Sequence, residues 1–167
     1  MKEPDEPDWD HIVERHAERV FRIAFRILGT VHDAEDVCQE VFVEAFELHR
    51  RGPVLTWAGL MVRLTTLRAI DKLRARRRSA EMLDHDQAAT QEPEQELIAR
   101  ELAEWLRSEV QSLPDQQAAV FSLTYFEQLG RNEVAATLEI SPDAVSTTLY
   151  KARQRLMSQL VIFQGDR

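Results

Sequence analysis

Seven basic residues, Arg63, Arg68, Lys72, Arg74, Arg76, Arg77 and Arg78, fall within sixteen positions, with Asp71 as the one acid among them. Guanidinium and ammonium groups at that density neutralise phosphates. A basic helix end also complements the negative pole of its own helix dipole, so both readings stand. Trp57, close behind Gly52-Pro53, is placed either to stack on an unstacked nucleobase or to close a helical core. A second set has the opposite sign. Asp33, Glu35, Asp36, Gln39, Glu40 and Glu44 crowd one helix, which makes either a docking face for a basic helical partner or a solvated surface. A third set lies on a helix opening at Pro142, where Asp143, Ser146, Thr147, Tyr150, Lys151 and Gln154 are candidates to meet base edges and phosphates. Catalytic chemistry has no such support. The histidines at 11, 16, 32, 49 and 85 make no metal-ligand spacing, and no glycine-rich phosphate loop is present. No catalytic residue, metal or cofactor is expected, and Cys38 reads as a half-buried packing residue.

The elements that position these groups are helical. Ile12, Val13, Ala17, Val20, Phe21, Ala24, Phe25 and Leu28 form one stripe, which Gly29 ends. A second helix starts near Asp33 and carries Ala34, Val37, Cys38, Val41, Phe42, Ala45 and Phe46, until Gly52-Pro53 breaks it. A third runs from about Thr56 to Arg77, with Leu60, Leu64, Leu67, Ile70 and Leu73 inward. After a non-periodic stretch, Leu97, Ile98, Leu102, Trp105, Leu106 and Val110 make a fourth stripe, and Ala119, Val120, Leu123 and Phe126 a fifth. Towards the C-terminus, Val134, Leu138 and Ile140 can face Val145, Leu149, Ala152 and Leu156 across a turn that Ser141 caps and Pro142 restarts. Small Ala135 suits a close helix crossing. That is the pattern of a helix-turn-helix. The expected fold is all-α: two small helical domains, 10–78 and 97–160, joined by a flexible acidic linker at 79–96.

Charge follows the same division. The net charge is −8, yet residues 1–78 balance 14 bases against 14 acids, and residues 79–96 hold six acids and no base. Local phosphate contacts are therefore expected, rather than strong DNA affinity of the isolated chain. The apolar runs are too broken for a membrane span, the acidic start carries no signal-peptide pattern, and one cysteine excludes an internal disulfide. A soluble cytoplasmic protein is expected.

Two blocks resemble bacterial RNA polymerase sigma factors of the extracytoplasmic-function type. The first is Val20-Phe21-Arg22-Ile23-Ala24-Phe25-Arg26-Ile27-Leu28-Gly29 followed by Asp33-Ala34-Glu35-Asp36-Val37-Cys38-Gln39-Glu40-Val41-Phe42, with Ala69-Ile70-Asp71-Lys72-Leu73-Arg74 some thirty residues on. The second runs from Leu113-Pro114 to Leu160. The resemblance implies a region 2-like domain over 10–78, which binds polymerase and the −10 element, and a region 4-like domain over 97–160, which binds the −35 element. It implies core RNA polymerase as partner, through the β′ clamp helices and the β flap, with promoter DNA, and an anti-sigma factor as the usual regulator. Asp33, Glu35, Asp36, Gln39 and Glu40 would then face polymerase. Trp57, Arg68, Lys72, Arg74, Arg76, Arg77 and Arg78 would serve the downstream element. The sequence departs from the family pattern at Leu67, where an Asn is usual, at Ser146-Thr147-Thr148, where two positive charges are lost, and at Gln117, which replaces a common Arg. The alternative function is a stand-alone helix-turn-helix transcriptional regulator.

Overall fold

The computed structural model describes residues 7–80 and 94–165, with the side chains of 77, 80, 94, 95 and 162–165 left out. Seven helices are described: α1 Trp9–Leu28, α2 Val31–Arg51, α3 Trp57–Ala80, α4 Glu94–Ser112, α5 Asp115–Tyr125, α6 Arg131–Leu138 and α7 Pro142–Gly165. Local chemistry sets their ends. Asp8 caps α1 by accepting the His11 N–H at 3.3 Å. Gly29 ends it in the left-handed region, φ 76°, donating its N–H to Phe25 O at 2.7 Å. Thr30 precedes α2 and donates its hydroxyl to Asp33 at 2.8 Å. Ser141 Oγ accepts the Ala144 N–H at 3.1 Å, and Pro142 opens α7. The third helix continues to Ala80 and the fourth begins at Glu94, so both ends of the expected 79–96 linker are helical; residues 81–93 lie outside the described residues.

Helices α1, α2 and α3 pack on one another around Val20, Ile23, Ile27, Val37, Val41, Met61 and Leu64. Thr65 and Thr66 lie fully buried among them, because each hydroxyl donates to the carbonyl four residues back, Met61 O at 2.6 Å and Val62 O at 2.8 Å. Helices α5, α6 and α7 form the other group, with Val134, Ala135, Val145, Ala152 and Leu156 buried where the turn pattern placed them.

The two groups meet. Helix α3 touches α4, α5 and α6, and one continuous core joins Val120, Leu123, Val134, Ala135 and Val145 to the residues of α1–α3. A second cluster joins Ile70 and the half-buried Leu67 of α3 to Val110, Leu113, Ala118, Ala119 and Phe121. The cause is in α3, whose apolar residues occupy two sides. The expected stripe on α4 is covered only in part: Val110 is fully buried, while Leu97, Ile98 and Leu102 are exposed.

Cys38 faces the α1–α3 core, half-buried. Burial, reinforced by Glu35, pushes its thiol up to about 11. Alkylation at pH 8 should therefore run about tenfold slower than for free cysteine, the loss of thiolate being partly offset by the greater nucleophilicity of a more basic sulfur. A rate constant within threefold of the free amino acid, from a timed iodoacetamide assay, would contradict this.

Candidate partner and nucleic-acid interfaces

Helix α3 carries two basic stripes on opposite sides. Arg68, Lys72 and Arg76 recur every four residues and face α2. Arg68 grips Glu44 with two hydrogen bonds, Nε to Oε2 at 2.6 Å and Nη2 to Oε1 at 2.7 Å. Lys72 Nζ donates to Asp36 Oδ2 at 2.9 Å. Arg76 Nη1 meets Asp33 Oδ2 at 3.2 Å and also donates to Leu28 O at 3.0 Å, at the C-terminal end of α1. These pairs form an antiparallel ladder between the two helices. The hydrogen bond from Lys72 holds the Asp36 carboxyl below its usual range, and Asp36 in turn raises Lys72. Glu44 raises Arg68 in the same way.

This ladder divides the expected acidic face. Asp33 and Asp36 are tied to α3, whereas Glu35, Gln39 and Glu40 are exposed. Alongside them a groove is lined by Gln39, Glu40, Val43, Glu47, Leu48 and Arg51, with Val43 60% exposed in acidic surroundings. An apolar spot framed by carboxylates fits a helix that offers apolar and basic residues together.

The other stripe of α3 is Arg63, Leu67, Ile70 and Arg74, spaced by four, three and four residues. It faces the second helical group. Arg63 Nη1 meets Glu139 Oε2 at 2.7 Å. Arg74 binds Asp115 and donates to Gln111 O at 3.3 Å and Leu113 O at 2.8 Å, capping the carbonyl end of α4. From α1, Arg26 Nη1 donates to Phe126 O at 2.9 Å and to Glu127 Oε1 at 3.0 Å. Sequence reasoning placed Arg63 in the basic cluster without a role and missed Arg26; neither residue carries a local signal for a partner far along the chain.

Of the expected downstream contacts, then, Arg68, Lys72, Arg74 and Arg76 are ion-paired within the chain. Arg78 is exposed, and the side chain of Arg77 lies outside the described residues. Trp57 is part of an aromatic group at one end of α1–α3. Its ring lies 5.2 Å from Trp9, edge-on, and 5.8 Å from His49, while Trp9 meets Phe46 at 5.0 Å. Half-buried against the core, it closes the three-helix group.

The third face is intact. Asp143, Ser146, Thr147, Tyr150, Lys151 and Gln154 are all exposed along α7, while Val145, Thr148, Ala152 and Leu156 point inward. Arg153, beside them, donates to the Tyr125 hydroxyl at 2.6 Å.

The arrangement describes a class first: an all-α protein of two helical groups that offers a carboxylate face at one side and an exposed polar helix face at another. Comparison with known proteins gives the family. Residues 12–79 match Sigma-70 region 2, and residues 103–156 match Sigma-70, region 4. The ECF RNA polymerase sigma factor SigE of Mycolicibacterium smegmatis is 34% identical over 159 residues, covering 92% of this chain; the chain spans 62% of that relative's length. The ECF RNA polymerase sigma factor SigW of Bacillus subtilis is 27% identical over 179 residues, with 96% of this chain and 92% of SigW covered. Among solved structures, CnrH in complex with the cytosolic domain of CnrY shares the fold with a TM-score of 0.57 at 20% identity, over 92% of this chain and 88% of that one. The sigma factor RpoE in complex with the anti-sigma factor NepR from Bartonella quintana does so with a TM-score of 0.54 at 15% identity, over 93% and 98%. The chain belongs to the sigma-70 family, in its extracytoplasmic-function type.

Proposed function

We propose that this chain binds core RNA polymerase and directs promoter recognition and transcription initiation. The observation that carries the reading is the pairing, in one chain, of the α2 carboxylate face with the exposed recognition face of α7. In this reading Glu35, Gln39 and Glu40, with Val43 beside them, meet the β′ clamp helices, and Asp33 and Asp36 hold α2 to α3 in support. The region 4-like group meets the β flap. The basic end of α3, with Arg77 and Arg78, contacts the phosphates of the downstream element. The second helix of the turn motif enters the major groove at the upstream element, with Ser146, Thr147 and Lys151 nearest the bases. No helix among the described residues is long and apolar enough to cross a membrane, and we place the protein in the cytoplasm, where polymerase works.

Few groups on that recognition face are basic, so DNA affinity depends on two linked contacts within the holoenzyme rather than on either alone. The test is run-off transcription with core polymerase over a promoter library. Polymerase-dependent transcripts from a defined promoter class are expected. Sequence-specific binding of duplex DNA without polymerase, and no transcript with it, would instead mark a stand-alone regulator. Within the active holoenzyme, Lys151→Ala together with Ser146→Ala should lower discrimination at the upstream element by about 1–3 kcal/mol. Unchanged selection from a randomised upstream element would remove α7 from base reading.

A further inference from the structure

The outward face of α7 is short of positive charge: of Asp143, Ser146, Thr147, Tyr150, Lys151 and Gln154, Lys151 alone is basic. A helix about 10–12 Å across fills a major groove about 12 Å wide, so its two flanks come against the phosphate strands. Cations on a flank, rather than on the outward face, then decide how firmly the helix is seated.

Arg153 stands on such a flank. It follows Ser146 by seven residues, two turns on, and the two side chains leave α7 within about 20° of each other around the axis. Arg153 is exposed, and no carboxylate is paired with it among the described residues. Arg26, Arg63, Arg68, Arg74 and Arg76 each end on a carboxylate instead. The partner of Arg153 is neutral. Its Nε donates to the Tyr125 hydroxyl at 2.6 Å, and its guanidinium carbon lies 5.4 Å from the centre of the Tyr125 ring. The phenol accepts a hydrogen bond without cancelling the charge, and it engages Nε, which leaves the two Nη groups to serve an anion.

The tyrosine is itself anchored. It is the last residue of α5, and its ring lies 4.6 Å from that of Phe121, one turn earlier, which is buried in the C-terminal core. A chain of contacts thus runs from the core through Tyr125 to the guanidinium. A loose arginine gives up rotamer freedom when it binds a phosphate, and one held beforehand gives up less.

We propose that Arg153 takes a phosphate of the upstream promoter DNA and that Tyr125 is the residue that positions it. The proposal rests on the reading of α7 as the upstream contact. It places a phosphodiester site beside the base-reading face, completed by a residue of α5 that lies ahead of the helix-turn-helix. A phosphate contact carries no sequence information, so this site sets affinity and leaves base selection to the outward face.

The test titrates holoenzyme, formed by the full chain with core polymerase, onto a duplex promoter fragment over a range of salt. Arg153→Ala should weaken promoter complexes about tenfold at low salt, equally for different upstream sequences. It should also reduce the slope of log affinity against log salt by about 0.9, one phosphate contact fewer. Arg153→Lys keeps a charge and should restore the slope. Tyr125→Phe keeps the ring and removes the hydroxyl; a loss of about threefold with the slope unchanged is expected. In the Arg153→Ala background Tyr125→Phe should cost nothing more, whereas a tyrosine that only packs α5 would cost the same in both backgrounds. An unchanged slope in Arg153→Ala overturns the phosphate contact, and equal losses for Tyr125→Phe in both backgrounds overturn the positioning role. Capture of core polymerase that falls in step with the promoter complexes puts Arg153 against protein and overturns the site. Ser146→Ala with Lys151→Ala separates this from the reading of α7. If that pair shifts upstream base selection while Arg153→Ala leaves the slope alone, α7 reads bases and the phosphate site by itself fails. If neither variant changes promoter binding, both readings fail.

Discussion

Replacing Glu35 and Glu40 by lysine should cut capture of core RNA polymerase at least tenfold while leaving the fold in place. Both side chains are exposed on α2, outside the ladder that binds α2 to α3. Exposed substitutions of this kind cost within about 0.5 kcal/mol of stability, and lysine suits a helix about as well as glutamate. Reversing two charges opposite a basic partner removes attraction and adds repulsion, which acts on both association rate and affinity. The contrast is Asp36→Lys. Asp36 accepts from Lys72 at 2.9 Å, so that change sets two ammonium groups together and destabilises the α2–α3 contact. Loss of polymerase binding in that variant would confound folding with recognition. A pull-down with purified core enzyme, beside a thermal melt, checks the prediction. Capture at the wild-type level by the double variant would take the exposed part of α2 out of the polymerase interface.

The largest effect on stability is expected for Leu123→Ala. Leu123 is fully buried in the core that runs from α1–α3 into α5 and α6. Removing its isobutyl group from a site packed on all sides should cost about 2–5 kcal/mol, the transfer loss plus the cavity left behind. For a chain of this size that lowers the melting temperature by about 5–15 °C. Leu97→Ala is the control, because Leu97 is 40% exposed on the uncovered half of α4. It should move the melt by no more than about 2 °C. Two equal melts would mean that Leu123 is not held in a shared core.

Local chemistry was legible without a structure. Gly29 ends the first helix because its left-handed backbone suits a glycine, and Ser141-Pro142 opens the last because a hydroxyl caps where proline lacks an N–H to satisfy. The inward set Val134, Val145, Ala152 and Leu156 followed from helical periodicity, since the turn between α6 and α7 brings those faces together whatever else surrounds them. So did the outward set from Asp143 to Gln154. The family resemblance rested on such short-range patterns, and matches to regions 2 and 4 bore it out.

Pairing of charges was decided only by tertiary structure. Seven bases along α3 gave one cluster in the sequence, but a helix turns about 100° per residue, so Arg68, Lys72 and Arg76 lie on the side away from Arg63 and Arg74. One stripe met the carboxylates of α2 and the other met Glu139 and Asp115, which lie far along the chain. Periodicity says which residues share a face and is silent on what covers that face. Leu97, Ile98 and Leu102 shared a stripe with Val110, yet only the far end of α4 is covered. For the same reason the sequence marked two helical groups and an acidic stretch between them, while the contact of α3 with α4, α5 and α6 depended on long-range apolar burial that no local pattern encodes.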